Sequence, residues 1–473
     1  MRLTLKPYRE YKSSGMPWLD KIPAHWRQRP LKHWVIINGR TLSEMADPEY
    51  TFKYFDIGSI ATGYLVKQPE RMKFKDSPSR ARRVLSKGDT IVSTVRTYLK
   101  AVYFINHDED DLIASTGFAV LTPGSEVNPE YLSYLIRSNP FIEQVTANSV
   151  GIAYPAITES VLGRFYVALP PVEEQKTLCI FLAHIDHRVN RIIREKRRMI
   201  ALLNEQKQAI IQRAVTRGLD LSVRLKPSGM DWLGEVPEHW KIRRLKNIFR
   251  EIDRRSVNGT EVLLSLRMHR GLVPHEEVSE KPISSQALIG FKRVAPGQVV
   301  MNRMRAAIGM FAVAPRPGIV SPDYAVFEST EIINPHFYIY LFKTPALRSV
   351  FRLESKGLGT GSSGFLRLYT DRFGLIKVPM PAPTEQAVIV KYIQETTAGI
   401  ETAIARTQRE IELIGEYRNR LIADIVTGKL DPREVNFATV VEREEPPYEQ
   451  LEDDVMEDGE ELEMVEEGSN AND

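Results

Sequence analysis

Four histidines of the sequence stand in patterns that could carry catalytic or metal-binding chemistry. His184 and His187 lie one helical turn apart with Asp186 between them, a spacing that can direct two imidazoles at one metal ion. The sequence around them offers no evident third ligand, so a helix-surface position is the alternative interpretation. His25 and His239 each precede a tryptophan in a P-x-H-W sequence, and we expect them to pack a structural corner.

A glycine-rich segment, KGLGTGSSG, contains the spacing G-x-G-x-x-G at Gly359, Gly361 and Gly364. A dinucleotide site with this spacing follows a strand and opens a helix. Here a helical pattern precedes the glycines and the strand-like run FLRLYT follows them, so the order is reversed. We therefore interpret the segment as a mobile loop rather than a nucleotide site. NSVGIAYPA, at residues 148–156, occupies the corresponding place in the first half of the chain.

Two other patterns also fall short of an enzyme site. Residues 445–448 read EPPY, whereas amino-methyltransferases use D/N-P-P-Y, and no glycine loop for S-adenosylmethionine lies upstream. Asp323 and Glu328 are not followed by the lysine of a nuclease cluster, and the sequence has no Walker loop. The sequence therefore predicts a chain that has no catalytic residues and binds no cofactor or metal. Any chemistry would be performed by partner proteins.

The net charge of +3 conceals an acidic end and a basic body. Residues 442–473 contain 15 acidic residues and one basic residue, a net charge of −14, so residues 1–441 carry 3 + 14 = +17. A basic body is typical of a protein that binds a polyanion. The tail has almost no aromatic residues and we expect it to be disordered, either as a solubilising segment or as a mimic of nucleic acid that competes for the basic body.

Clustered cations and polar side chains in each half are the candidates for contact with a polyanion such as a nucleic acid. Arginine can bind guanine with two hydrogen bonds and asparagine can bind adenine, while phosphate contacts supply most of the affinity. Arg96 and Arg305 occupy equivalent positions after a predicted strand and are the preferred pair. A solvated charged face is the alternative for any single arginine. The full set of candidates is Arg80, Arg82, Arg83, Arg96, Thr97, Tyr98, Lys100, Lys292, Arg293, Asn302, Arg303 and Arg305.

Two long helices must position these residues. Residues 171–218 place apolar side chains at alternating steps of four and three, at eight of ten positions from Leu178 to Ile210, which predicts a coiled-coil seam. At about 1.5 Å per residue such a helix is roughly 65–70 Å long. Residues 381–428 repeat the pattern with a shifted frame and with Gly399 and Gly415 inside. The second helix is therefore the expected partner of the first within the same chain.

The whole organisation occurs twice. Residues 13–35 and 227–249 share ten identical positions at a shift of 214, including two tryptophans, and the helix starts share the pattern P-x-x-x-E-Q. Between each front block and its helix lie about 140 residues of short β-rich runs and one helical run. The sequence thus predicts an α+β protein with domains at residues 1–170 and 222–380, long helices at 171–218 and 381–428, and an acidic tail at 432–473.

These repeated motifs resemble those of the specificity subunits of type I restriction–modification systems. The resemblance rests on the two W-L-x-x-x-P-x-H-W blocks, the two glycine-led strands at Gly88 and Gly297, and the two P-x-x-x-E-Q sequences, and it covers all but the tail. It implies two target-recognition domains in a pseudo-twofold arrangement, separated by two antiparallel coiled-coil helices. It also implies a split double-stranded DNA target, two methyltransferase subunits and additional restriction subunits, which would use S-adenosylmethionine, ATP and Mg²⁺.

Other functions stay open at this stage. A coiled-coil scaffold that presents two protein-binding domains is the alternative, and a self-sufficient methyltransferase is a third hypothesis. No run of 18 apolar residues and no apolar signal segment is present, so no membrane association is expected. Cys179 is the only cysteine, which excludes an intrachain disulfide and predicts a cytoplasmic location.

Overall fold

The chain forms two compact units whose boundaries fall inside the two long helices. The computed structural model describes residues 5–16, 18–152, 154–279, 283–358 and 365–434. Unit 1 comprises residues 1–189 and 415–473, and unit 2 comprises residues 190–414. Each unit therefore combines a globular domain with the first part of one long helix and the last part of the other. The predicted acidic tail from residue 435 onward and the glycines at 359, 361 and 364 lie outside the described residues.

Unit 1 contains small, mainly antiparallel sheets and three short helices. One sheet has the strand order β6-β5-β10-β7, with β5 and β10 parallel, and another has the order β4-β11-β8-β9. The pairs β1-β2 and β12-β3 are separate. The strands are β1 (Tyr11–Met16), β2 (Leu19–Pro23), β3 (Arg27–Pro30), β4 (Val35–Ile37), β5 (Thr51–Phe55), β6 (Glu70–Lys73), β7 (Ala81–Val84), β8 (Thr90–Ser93), β9 (Val102–Phe104), β10 (Leu112–Ser115), β11 (Phe118–Pro123) and β12 (Tyr166–Leu169). The helices are α1 (Pro129–Ile136), α2 (Asn139–Ala147) and α3 (Glu159–Leu162), and the long helix α4 (Val172–Arg217) follows.

Unit 2 repeats this plan with different residues. Its largest sheet has the order β16-β23-β20-β21, and the remaining strands form pairs. The strands are β13 (Leu225–Pro227), β14 (Glu235–Pro237), β15 (Lys241–Arg244), β16 (Phe249–Ile252), β17 (Leu264–Arg267), β18 (Gly271–Pro274), β19 (Lys292–Val294), β20 (Val299–Asn302), β21 (Phe311–Val313), β22 (Gly318–Val320), β23 (Tyr324–Ser329), β24 (Lys356–Leu358), β25 (Phe365–Arg367) and β26 (Lys377–Met380). The helices are α5 (Pro335–Phe342), α6 (Pro345–Glu354), α7 (Thr370–Leu375) and the long helix α8 (Pro383–Val426). The expectation of a mixed α and β fold is confirmed.

The repeated glutamine of the P-x-x-x-E-Q motif ties each long helix to its globular domain. The Gln175 side chain accepts a hydrogen bond from the Asn128 N–H at 2.7 Å and donates one to the Pro170 carbonyl at 2.8 Å. Gln386 makes the equivalent contacts with Asn334 at 2.8 Å and Pro381 at 2.9 Å. Both glutamines are fully buried, where an unsatisfied amide would be costly, so the motif needs an amide at this position.

The repeated glutamate of the same motif receives the front block. Trp26 and Trp240 are fully buried, and their indole nitrogens donate to Glu174 and Glu385 at 3.0 and 2.9 Å. His25 and His239, the neighbours of these tryptophans, contact the same two carboxylates at 2.7 and 2.9 Å. The buried tryptophans thus pack each corner, whereas the two histidines are exposed and contact its carboxylate from the surface.

The long helices run in opposite directions where they meet within unit 2. Lys196 of α4 pairs with Glu410 of α8 at 2.6 Å, and Lys207 pairs with Glu401 at 2.5 Å. As the residue number rises along α4, the number of its partner on α8 falls. These pairs lie between helices whose continuous lengths are 46 and 44 residues.

The buried face of α4 departs from the regular seam that the sequence predicts. Leu178 and Val189 are buried as expected, whereas Met199 is 46% exposed. Near the end of the helix the expected Ile210 is only half-buried, and the neighbouring Ile211 is buried instead. A straight α-helix has 3.6 residues per turn and drifts against a 3.5-residue repeat, so a fixed face moves to neighbouring positions along the helix. The predicted seam at regular 4-and-3 steps therefore fails at Met199 and is not confirmed for the second half of α4 as a whole.

Candidate nucleic-acid interface

A one-turn 3₁₀ helix after strand β8, together with the residue on either side of it, includes four of the predicted contact residues. It spans Thr97–Leu99, and Arg96 and Lys100 on either side of it both have a φ of 52°. A non-glycine residue in this left-handed conformation costs about 1–2 kcal/mol, and such strain clusters at functional sites. The turn exposes Tyr98 and buries Thr97.

The loop at residues 148–157 supports this turn. The Thr97 hydroxyl donates to the Ser149 hydroxyl at 2.8 Å, and the Thr97 N–H donates to the Pro155 carbonyl at 3.3 Å. The Ile157 N–H donates to the Thr94 carbonyl at 2.8 Å. Thr97 is therefore an anchor between two loops, and a contact between its side chain and DNA stays a prediction.

Aromatic and cationic side chains meet at the surface of these two loops. The Arg96 guanidinium lies 5.0 Å from the ring centre of Tyr154, and both residues are exposed. Tyr98 and Ile152 are also exposed. Guanidinium groups and aromatic rings bind phosphates and stack on bases, so this surface has the chemistry of a nucleic-acid contact. Tyr154 was not among the predicted residues, although an aromatic residue in the segment NSVGIAYPA, which corresponds to the glycine-rich segment, was a usable signal.

Three arginines lie in or directly before strand β7, and each has a different environment. Arg80 is exposed and lies 3.8 Å from Asp56. The Arg82 guanidinium lies 5.0 Å from the ring centre of Phe74. Arg83 is largely buried and pairs with Glu159 at 2.5 Å, which ties β7 to α3. Arg80 is thus the most accessible of the three.

Unit 2 has a 3₁₀ turn at the corresponding place, although Arg305 has a φ of −119° where Arg96 has a φ of 52°. Strand β20 leads into the 3₁₀ helix Ala306–Ile308, and Arg305 precedes it as Arg96 precedes its counterpart. The residue that ends the turn is Gly309, with a φ of 88°, where unit 1 has Lys100. The expected equivalence of Arg96 and Arg305 therefore agrees with their positions in the two units.

Several of the other candidates in unit 2 support this turn from inside. Asn302 is buried, and its side-chain oxygen accepts hydrogen bonds from the Met304 and Arg305 N–H groups at 3.0 and 3.2 Å. Lys292 is also buried and lies 3.2 Å from a Glu251 carboxylate oxygen, which Arg303 contacts as well. Their proposed contacts with DNA stay predictions, since the polar groups described here already have partners within the fold.

Arg293 lies on the surface beside this buried group. More than half of its side chain is exposed, and it pairs with Glu261 at 3.2 Å. Arg367 was missed from the sequence; it pairs with Asp323 at 3.1 Å and lies 5.5 Å from the ring centre of Tyr369. Arg367 lies on β25, next to the glycine-rich segment, and its side chain is 20% exposed whereas Tyr369 is 37% exposed, so unit 2 has a partly buried aromatic and cationic pair.

The described part of the chain contains neither a candidate metal site nor a candidate membrane-spanning helix. Within it, no three His, Cys, Asp or Glu side chains gather closely enough to hold a metal ion. None of its helices is both long and apolar enough to cross a bilayer.

The comparisons with known proteins point to one family. The family model described as the type I restriction modification DNA specificity domain matches residues 34–201 and 237–413. The putative type I restriction enzyme MjaX specificity subunit of Methanocaldococcus jannaschii is 22% identical over 441 residues, which cover 87% of this chain and 95% of that protein. The MjaVIII specificity subunit of the same organism is 24% identical over 324 residues, covering 65% and 71% of the two chains.

A solved structure shares the fold. Its description reads "Structural basis underlying complex assembly and conformational transition of the type I R-M system". The similarity has a TM-score of 0.61 at 23% identity and covers 86% of this chain and 99% of the other. Because the family model matches most of the chain, and matches it once in each half, the chain belongs to the family of type I restriction modification DNA specificity domains.

Proposed function

We propose that this specificity subunit reads a split DNA sequence, with each globular domain contacting one half. The observation that carries the proposal is the duplicated turn, which presents Arg96 in unit 1 and Arg305 in unit 2 at equivalent positions. Side chains around the turns differ between the units, as two readers of different sequences require. The Arg96–Tyr154 pair supplies stacking and charge, and base-edge hydrogen bonds would supply the sequence preference.

The long helices would set the distance between the two half-sites. Half-sites on one face of DNA lie about 34 Å apart, or a multiple of that distance, so their readers need a stiff spacer. Two continuous helices that pair as an antiparallel coiled coil would be stiff, whereas a flexible linker would not fix a distance. The Lys196–Glu410 and Lys207–Glu401 pairs support this arrangement, which would give the subunit its pseudo-twofold symmetry.

Partner proteins would perform the chemistry. In this proposal two methyltransferase subunits dock on the subunit and restriction subunits join the larger assembly. S-adenosylmethionine, ATP and Mg²⁺ would be bound by those partners. The specificity subunit would contribute no catalytic residue and would direct their activity to the target.

Methylome sequencing of a host with and without the gene tests the function. Loss of one bipartite methylation motif on deletion is the expected result. Replacing residues 36–165 with the corresponding domain of another specificity subunit should change one half of that motif and leave the other intact. A change in both halves, or no change in any methylation motif, would contradict two independent readers.

Insertion of seven residues into α4 tests the spacer role. One heptad keeps the packing face of the helix and lengthens it by roughly 10 Å. The distance between the half-sites should change while both half-sequences stay the same. A matched control inserts seven residues after residue 435, outside both long helices, and should leave the distance unchanged.

A further inference from the structure

Two arginines from distant parts of the sequence share one carboxylate in unit 1. Arg137 ends helix α1 and lies 2.6 Å from Asp186 of α4. Arg418 of α8 lies 3.2 Å from the other oxygen of the same carboxylate. The Tyr134 hydroxyl donates to Asp186 as well, at 3.1 Å. Two guanidinium groups thus converge on one carboxylate in a partly buried place.

A small cavity lies beside the two arginines. Arg137 and Arg418 line it, and within the described residues the buried Nε of Arg137 has no hydrogen-bond partner. Nearly all of the side chains lining the cavity can donate hydrogen bonds, which suits an anion with several oxygens. The remaining lining residues are Thr62, Ser138, Asn139, Asn419 and Ile422.

Unit 2 has side chains of the same charge or amide character at the equivalent positions. Lys343 ends helix α5 as Arg137 ends α1. Lys207 of α4 occupies the position of Arg418, since 418 − 211 = 207 in the repeat of the long helices, and Gln208 follows it as Asn419 follows Arg418. Two cations and one amide thus occur at the same positions of both units, although most residues around them differ.

The carboxylate between the cations is absent from the equivalent position of unit 2. Asp186 corresponds to Thr397, since 186 + 211 = 397. Lys207 instead pairs with Glu401 at 2.5 Å, and the Lys343 ammonium donates to the Met268 carbonyl at 3.2 Å. Burial and the charge of Lys207 lower the pKa of Lys343. The Glu401 carboxylate offsets the charge of Lys207, so an anion at this place would act mainly on the buried ammonium of Lys343.

Both cation pairs lie next to the turns that carry Arg96 and Arg305. In unit 1 the Thr62 hydroxyl, which lines the cavity, donates to the Lys100 carbonyl at the end of the turn at 2.6 Å. In unit 2 a Cβ placed on Gly309, at the end of the equivalent turn, would stand 3.5 Å from the Lys343 side chain. A phosphate near either turn would therefore be within reach of the cations.

We infer that each of these two cation pairs, Arg137 with Arg418 and Lys343 with Lys207, binds a phosphate group. The inference rests on the proposed function where the phosphate belongs to the DNA backbone; a free phosphate compound has the same chemistry. A purely structural ion-pair network would hold the globular domain on the helices without binding any anion. The two roles differ in what happens to anion binding when one charge is removed.

The salt dependence of duplex DNA binding by the full chain tests the backbone source. Each phosphate contact contributes about −0.9 to the slope of log K against log salt. The Arg418→Gln and Lys207→Gln variants keep a hydrogen-bonding side chain. Each should reduce the magnitude of the slope by about 0.9, and each should weaken binding to specific and unrelated duplexes by a similar factor. Arg418→Lys should restore the slope. Arg194→Gln, which removes an exposed charge from α4, is the matched control and should leave the slope unchanged.

Inorganic pyrophosphate tests the free-anion source. If the sites bind free phosphates, pyrophosphate should raise the unfolding temperature of the full chain, and both Gln variants should lose this rise. A reduced slope assigns the sites to the DNA backbone, whereas a lost pyrophosphate effect with an unchanged slope assigns them to a free phosphate. An unchanged slope with no pyrophosphate effect overturns the inference. Binding of the unaltered chain to duplex DNA that does not weaken with salt would contradict the proposed function, and the pyrophosphate measurement would still decide about the sites.

Discussion

The indole N–H of Trp26 donates to the buried carboxylate of Glu174 at 3.0 Å, and this carboxylate also accepts the Tyr8 hydroxyl at 2.8 Å. Arg433 contacts the same carboxylate at 3.3 Å. Two residues before it, the Asp431 N–H donates to the Lys6 carbonyl at 2.8 Å. One side chain at the start of α4 therefore holds the front block and both ends of the described chain within unit 1.

The equivalent glutamate of unit 2 has fewer partners, which predicts unequal effects of the same substitution. Glu174→Ala leaves the buried Trp26 and Tyr8 donors without an acceptor, at about 1–3 kcal/mol for each buried group. Glu385→Ala removes the acceptor of Trp240, and the Glu385 side chain is 29% exposed, so a smaller loss is expected. Unfolding temperatures from calorimetry should fall more for Glu174→Ala. Glu173→Ala is the exposed neighbouring control, and a larger effect of Glu385→Ala would contradict this account.

The positions of the long helices could be predicted from the sequence, but most long-range partners of the site could not. Apolar periodicity and the P-x-x-x-E-Q motif predicted a helix over residues 171–218, and α4 spans Val172–Arg217. These signals are local, because they depend on spacing along one element. The partnership of Arg303 with Glu251 joins residues 52 positions apart through tertiary packing, and no local pattern encodes it. The same limit made buried Lys292 and Asn302 resemble surface contacts.

The environments of Arg96 and Arg83 predict opposite consequences of the same change. Arg96 is exposed on the strained turn, so Arg96→Ala should weaken binding of the specific duplex by about 1–3 kcal/mol, or roughly five- to 150-fold, if it contacts a base edge. Arg83 pairs with Glu159, so Arg83→Ala should lower the unfolding temperature of unit 1 and change DNA affinity little once the protein is folded. Fluorescence anisotropy with the methylome-defined target measures the first effect and calorimetry the second. Equal losses of affinity for the two variants would argue against the turn as a reading element.

Cys179 provides a probe for the opening of unit 1. Burial raises the pKa of its thiol to about 12, from an ordinary value of 9.0. Since the thiolate is the reactive form, a thiol reagent at pH 8 should label native protein very slowly and guanidinium-unfolded protein at once. The unfolded state loses this proton near pH 9 while the folded state keeps it, so the stabilising contribution is full below pH 9 and declines as the pH rises toward 12. Rapid labelling of the native chain at pH 8 would show that the start of α4 is open to solvent.

The two residues that end the equivalent turns should differ in how their substitution changes stability. Lys100 has a φ of 52° and Gly309 a φ of 88°, a region that favours glycine. Gly309→Ala should destabilise unit 2 by about 1–2 kcal/mol because an alanine must adopt the left-handed conformation. Lys100→Gly relieves that strain in unit 1 but adds freedom to the unfolded chain, so its stability should be unchanged or slightly higher. Calorimetry of the two variants without DNA measures both effects. Clear destabilisation by Lys100→Gly would mean that the aliphatic part of the lysine, rather than the backbone geometry, stabilises this end of the turn.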